Sequence, residues 1–134
     1  MKKYLLLLGL AAAGISSPAP AADTTTSAWN GGTTVWGTSG NWDGGLPSAT
    51  VSALFNGTFT NQPQLGATGT AQGIWLATGD AQDVTITGTG ATRILNITGT
   101  ATLGGQGNAG ILLDDSANHN RSIGTLTTTT LTNS

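Results

Sequence analysis

The sequence predicts an all-β chain, wound as a right-handed parallel β-helix (a solenoid) with an aromatic cap at its N-terminal end. Three observations point there. Only 7% of the 134 residues are charged and Glu is absent, whereas a helical surface normally draws on Glu and Lys, whose straight side chains keep their rotamer freedom on a helix. Thr, Gly, Asn and Gln stand in their place, and β-branched Thr suits a pleated surface. From Gly73 onward, apolar and polar residues alternate in short runs separated by Gly-rich turns, the pattern of half-buried strands. A β-sandwich is the alternative that the same alternation allows.

Composition also excludes several functions. The net charge of −2 is too small for disorder driven by charge. Four cationic side chains in all give no basic patch for nucleic acid, and the absence of Cys excludes a disulfide scaffold.

Taken in order, the first element is a targeting segment. Met1-Lys2-Lys3 is basic, Tyr4 to Ile15 is apolar, and Ser16 to Ala21 is broken by two prolines and ends on small residues. That order is a secretory signal peptide, residues 1–21, with cleavage expected after Ala21. The apolar run is shorter than the roughly 20 residues a bilayer core requires, and no later stretch is long enough to span a membrane.

Residues 22–134 form the predicted solenoid segment, with 22–60 as a Trp-rich cap and 61–134 as rungs. Asp23 to Ala28 is a polar entry. Short strands carrying Trp29, Val35-Trp36 and Trp42 are then expected, joined by turns at Asn30-Gly31 and Asp43-Gly44, dipeptides favoured in tight hairpin turns because both central positions take positive φ. Val51 to Phe55 is a strand ended by Asn56-Gly57. Further strands are expected around Ile74–Leu76, Val84–Thr87, Leu95–Ile97, Ala101–Leu103 and Ile111–Leu113, with Ile123, Leu126 and Leu131 continuing less regularly. Stacked rungs lie about 4.8 Å apart, a spacing at which Lys or Glu ladders repel while Thr and Asn pair rung on rung. This favours the solenoid over the sandwich.

Two segments resemble the β-helix passenger regions of bacterial autotransporters. One runs from Trp29-Asn30-Gly31-Gly32 through Trp36 to Gly40-Asn41-Trp42-Asp43-Gly44-Gly45-Leu46-Pro47 and on to Ala53-Leu54-Phe55. It resembles the leader that precedes autotransporter-associated β-strand repeats. The other, Gly110 to Arg121 continuing to Thr130-Leu131-Thr132-Asn133-Ser134, looks like one rung and turn of such solenoids. The resemblance implies an exported, non-catalytic passenger segment, a stalk or adhesin, secreted or held on the extracellular side of the outer membrane. It also implies that the sequence is the N-terminal piece of a longer frame. The partners implied are extracellular glycans or other surface proteins.

Two other functions stay open: a carbohydrate-binding module and a fragment of a β-helix carbohydrate-active enzyme. The polar cluster Asp114-Asp115-Ser116-Ala117-Asn118-His119-Asn120-Arg121 could hold Ca²⁺ or do acid–base work on a sugar, but reads first as a solvated turn between rungs. Gly104-Gly105-Gln106-Gly107-Asn108-Ala109 has Ala where a calcium repeat needs Asp. The Gly-rich runs lack the Lys-Ser/Thr of a phosphate cradle, and a lone His without Cys leaves no nucleophile–base pair worth naming. No metal or cofactor is expected. Trp29, Trp36 and Trp42 are assigned to the cap. Trp75, in phase with the polar face of its strand, is the ring expected to be exposed and able to stack on a sugar. The candidate binding residues are thus Trp75, Asp114, Asp115, His119 and Arg121.

Overall fold

A computed structural model describes residues 22–77, 82–90, 93–114, 120–123 and 128–131. The predicted signal peptide, residues 1–21, lies outside them. The chain is all-β. Its strands are β1 (Thr26–Ala28), β2 (Ser52–Phe55), β3 (Gln64–Leu65), β4 (Gly69–Ala71), β5 (Ile74–Leu76), β6 (Val84–Gly88), β7 (Ile94–Ile97), β8 (Ala101–Leu103), β9 (Gln106–Ala109), β10 (Ile111–Leu113), β11 (Arg121–Ile123) and β12 (Thr128–Leu131). They make several small sheets and no closed barrel, in the orders β1-β2-β5-β10, β11-β6-β3, β12-β7-β4 and β8-β9. Within the first three sheets every strand pairing is parallel.

The alternation read from the sequence places the core. Ala53, Ile74 and Ile111 align across β2, β5 and β10, as do Phe55, Leu76 and Leu113. Side chains of one parity share a sheet face, so each alignment is a column of apolar groups. Val84, Ile86, Leu95 and Ile97 are buried from the other two sheets. The intervening row in the first sheet, Ala28, Leu54, Trp75 and Leu112, faces the other way and is half-buried.

The tryptophan-rich stretch builds fewer strands than its sequence suggests. Trp29 and Trp42 meet in an isolated antiparallel bridge, Val35 bridges to Gln64, and Ser39–Asn41 is a single 3-10 turn. Their rings do the packing. Trp42 meets Trp29, Trp36 and Phe55 edge-on at centroid separations of 4.9, 4.8 and 6.0 Å, the geometry that sets the positive edge of one ring against the negative face of another. Trp29, Trp36 and Trp42 are 3–4% exposed and belong to the same buried cluster as Phe55, Ile74 and Leu76.

Buried polar groups within the loop are matched. Asn41, 1% exposed, accepts from Thr33 N–H at 2.8 Å and donates to Thr33 Oγ1 and the Val35 carbonyl, both at 2.8 Å. Trp42 Nε1 donates to the Trp36 carbonyl and Trp29 Nε1 to the Asn61 carbonyl, each at 2.8 Å. Between successive strands of the second sheet, Gln62 accepts from Thr85 N–H and donates to the Asp83 carbonyl. Gln82 does the same with both backbone groups of Phe59. Side-chain amides thus replace ladder hydrogen bonds where the backbone turns a corner. Ser122 donates to Thr85 across the β11–β6 pair at 3.1 Å, a hydroxyl ladder of the kind the composition suggests.

Gln106 to Ala109, within the Gly-rich run that follows Leu103, is strand β9. Gly104 and Gly105 have φ of 53° and 77°, and two successive positive φ values make the two-residue turn that returns a chain on itself with the twist of its strands. Leu103 therefore faces Gln106, and β8 and β9 form an antiparallel hairpin.

Candidate functional site

Of the candidate binding residues, Trp75 lies beside the hairpin. Trp75 lies between Leu54 and Leu112 in the outward row. The turn at Gly104 sits on this row: a Cβ there would lie 3.1 Å from Leu112 Cδ2 and 3.3 Å from Trp75 Cζ2. Behind it, Ala101 and Leu103 are fully buried against Gly73, where an added Cβ would come within 3.0 Å of both side chains. Asp23 accepts from Gly105 N–H at 2.8 Å, and Thr24 N–H donates to the Thr102 carbonyl at 2.8 Å. The segment that opens the described chain therefore straps the hairpin in place.

Trp75 faces outward, as its phase requires, yet the ring is half-buried. The hairpin, unrecognised in the sequence, is the reason. The Trp75 indole nitrogen is itself buried, with no hydrogen-bond partner among the described residues. An orphaned N–H of this kind costs about 1–3 kcal/mol.

Of the polar cluster, Asp114 is exposed and its backbone N–H donates to the Leu76 carbonyl at 2.8 Å, extending the β10–β5 ladder. Arg121 opens β11 opposite Val84, and its side chain is outside what is described. Asp115 and His119 lie outside the described residues. Asp83, just before β6, accepts from Asn120 N–H at 2.8 Å and from Asn120 Nδ2 at 3.2 Å. One end of the cluster is thereby tied to the preceding strand pair. Among the described residues no three metal-binding side chains come together.

Besides a depression of about 160 Å³ beside Val35, Trp36, Leu65 and Thr68, two others mark the described residues. One, of about 420 Å³, is lined by Trp36, Gly37, Leu46, Pro47, Thr68 and neighbours. Its lining carries no charged side chain, and with Trp36 at 3% exposure it offers no ring face to a sugar. The other, of about 180 Å³, lies beside β10 and β11 between Leu76, Ile111, Leu113, Ser122 and Ile123. Among the described residues no helix is long and apolar enough to cross a membrane.

Comparison with protein-family models, curated proteins and solved structures gives no match for this chain.

Proposed function

We propose that the chain is a right-handed parallel β-solenoid capped by its tryptophans, and that it serves as an exported, non-catalytic stalk or adhesive passenger segment of the autotransporter type. The observation that carries the architecture is the order of pairing. β2, β3 and β4 take β5, β6 and β7 as parallel partners, and β5, β6 and β7 take β10, β11 and β12. Each sheet thus gains one strand per circuit of the chain, with the hairpin β8–β9 inserted between β7 and β10. Parallel neighbours need a crossover, and such crossovers are right-handed in nearly all proteins. A sandwich would instead rest on antiparallel sheets.

The functional part follows from that architecture. Stacked circuits give length without a large core. Thr, Asn and Gln on the outer faces offer hydrogen-bonding surface that does not depend on charge. The test is to express the full sequence in a Gram-negative cell and sequence the N-terminus of the recovered protein. A chain beginning at Ala22 outside the inner membrane is expected; one that keeps Met1 in the cytoplasm would overturn the reading.

A carbohydrate-binding role has one observation in its favour, the outward-facing, half-buried ring of Trp75. Titration with soluble polysaccharides separates the two readings. A stalk shows no saturable change in tryptophan emission, whereas a binding module shows one that disappears in Trp75→Phe.

A further inference from the structure

Asn-Gly occurs twice in the chain, at Asn30-Gly31 and Asn56-Gly57, and Asp-Gly once, at Asp43-Gly44. These dipeptides share one chemistry. The glycine amide nitrogen, after losing its proton to base, can attack the preceding side-chain carbonyl carbon, because no Cβ obstructs the approach. The attack requires a side chain that can rotate over its own backbone and an amide that is not otherwise engaged.

The fold treats the three differently. Asn30 is pinned from both ends: its Nδ2 donates to the Gly40 carbonyl at 3.1 Å and its Oδ1 accepts from Gly32 N–H at 3.1 Å. Gly31 is fixed at φ 65°, where a Cβ would lie 2.7 Å from that of Phe59. Gly44 N–H is engaged by Ser27 Oγ at 3.0 Å. Asn56, by contrast, is exposed just after β2. Among the described residues no hydrogen bond holds its side chain or the Gly57 amide, and an added Cβ at Gly57 would meet nothing within 4 Å.

We infer that Asn56-Gly57 is a site of spontaneous covalent modification, at which the Asn56 carboxamide converts to aspartate and isoaspartate while Asn30 is protected by the fold. The Gly57 nitrogen bonds to Asn56 Cγ, the Cγ–Nδ2 bond breaks and ammonia leaves, giving a cyclic imide. Water then opens the imide at either carbonyl, so that the net change is carboxamide plus water to carboxylate plus ammonium. Opening at the backbone carbonyl routes the main chain through the Asn56 Cβ. That lengthens it between Phe55 and Phe59, which are 0% and 8% exposed and pack with ring centroids 6.1 Å apart. The modification therefore adds a negative charge and loosens the chain at one edge of the aromatic cluster.

The test is to incubate the purified protein at mildly alkaline pH and follow both Asn-Gly peptides by mass spectrometry, with an isoaspartate assay. Peptides carrying Asn56 are expected to convert severalfold faster than those carrying Asn30 in the folded protein, and at a similar rate in guanidinium. Gly57→Ala should slow conversion severalfold with unchanged circular dichroism, since its Cβ enters open space. Equal rates at the two sites in the folded protein would overturn the proposal. So would a difference that persists after denaturation, or a Gly57→Ala variant that converts as fast as the parent.

Discussion

Leu76 and Leu113 face each other in register on neighbouring parallel strands, yet Leu76 is 4% exposed and Leu113 62%. Their companions repeat the contrast, Ile74 at 0% and Ile111 at 36%. Chemistry and orientation are the same within each pair. What differs is that β5 is covered on both sides by further strands while β10 ends its sheet. Among the described residues the core is thus covered beyond β5 and uncovered beyond β10.

Substitution at these two leucines should separate sharply. Leu76→Ala removes packed methyl groups and leaves a cavity, which costs about 2–5 kcal/mol. Leu113→Ala exchanges one exposed side chain for another and should stay within about 0.5 kcal/mol. Urea unfolding of the two variants measures the difference.

The uncovered edge also predicts self-association. An edge strand with exposed apolar residues is a template for pairing, and β10 carries Ile111 and Leu113 on its unpartnered side of the core. Sedimentation at rising concentration should show association that the double change Ile111→Lys and Leu113→Lys reduces, because lysines on an edge oppose docking of a further strand. Equal association by parent and variant would sink this reading.

Asn41 is the polar linchpin of the cap. Asn41→Asp keeps the shape and the acceptor facing Thr33 N–H but loses the donor to Thr33 Oγ1 and the Val35 carbonyl, and it places a charge in a site 1% exposed. A buried acceptor left without its donor costs about 1–3 kcal/mol. The denaturant midpoint should therefore fall on Asn41→Asp, and by a similar or larger amount on Asn41→Leu, which adds bulk and satisfies none of the three partners.

The sequence was most legible where apolar residues alternate. Ile74–Leu76, Val84–Ile86, Leu95–Ile97 and Ile111–Leu113 all fall within strands, and Trp75 faces outward as its phase demands. It was least legible where long-range pairing, not local pattern, makes the strand. Gln64–Leu65 and Gly69–Ala71 have no alternation to read and are strands only because Thr87, Gly88, Leu95 and Ile97 lie alongside. Gly69 is required there by packing, since a Cβ would come 2.6 Å from Leu65 Cδ2 and 3.3 Å from Trp36 Nε1. Of the candidate site, the outward ring could be read, but not its roof. That roof depends on Asp23 meeting Gly105 across the length of the chain, a contact with no local signature.

Trp75 offers the sharpest test of how that roof behaves. Trp29, Trp36 and Trp42 are shielded in the cap, so collisional quenching of the folded protein by acrylamide should act mainly on Trp75. Trp75→Phe should remove most of the quenchable emission. Its stability should change little, because the area lost with the larger ring is offset by removing an indole N–H that is buried without a partner. Asp23→Ala withdraws the acceptor from Gly105 N–H, leaving the hairpin turn held on that side by the Thr24–Thr102 contacts alone. If the strap keeps the hairpin over the ring, Asp23→Ala raises the quenching constant of Trp75 while the other three tryptophans remain protected. An unchanged constant would mean that Ala101 and Leu103, packed on Gly73, hold the hairpin without the strap.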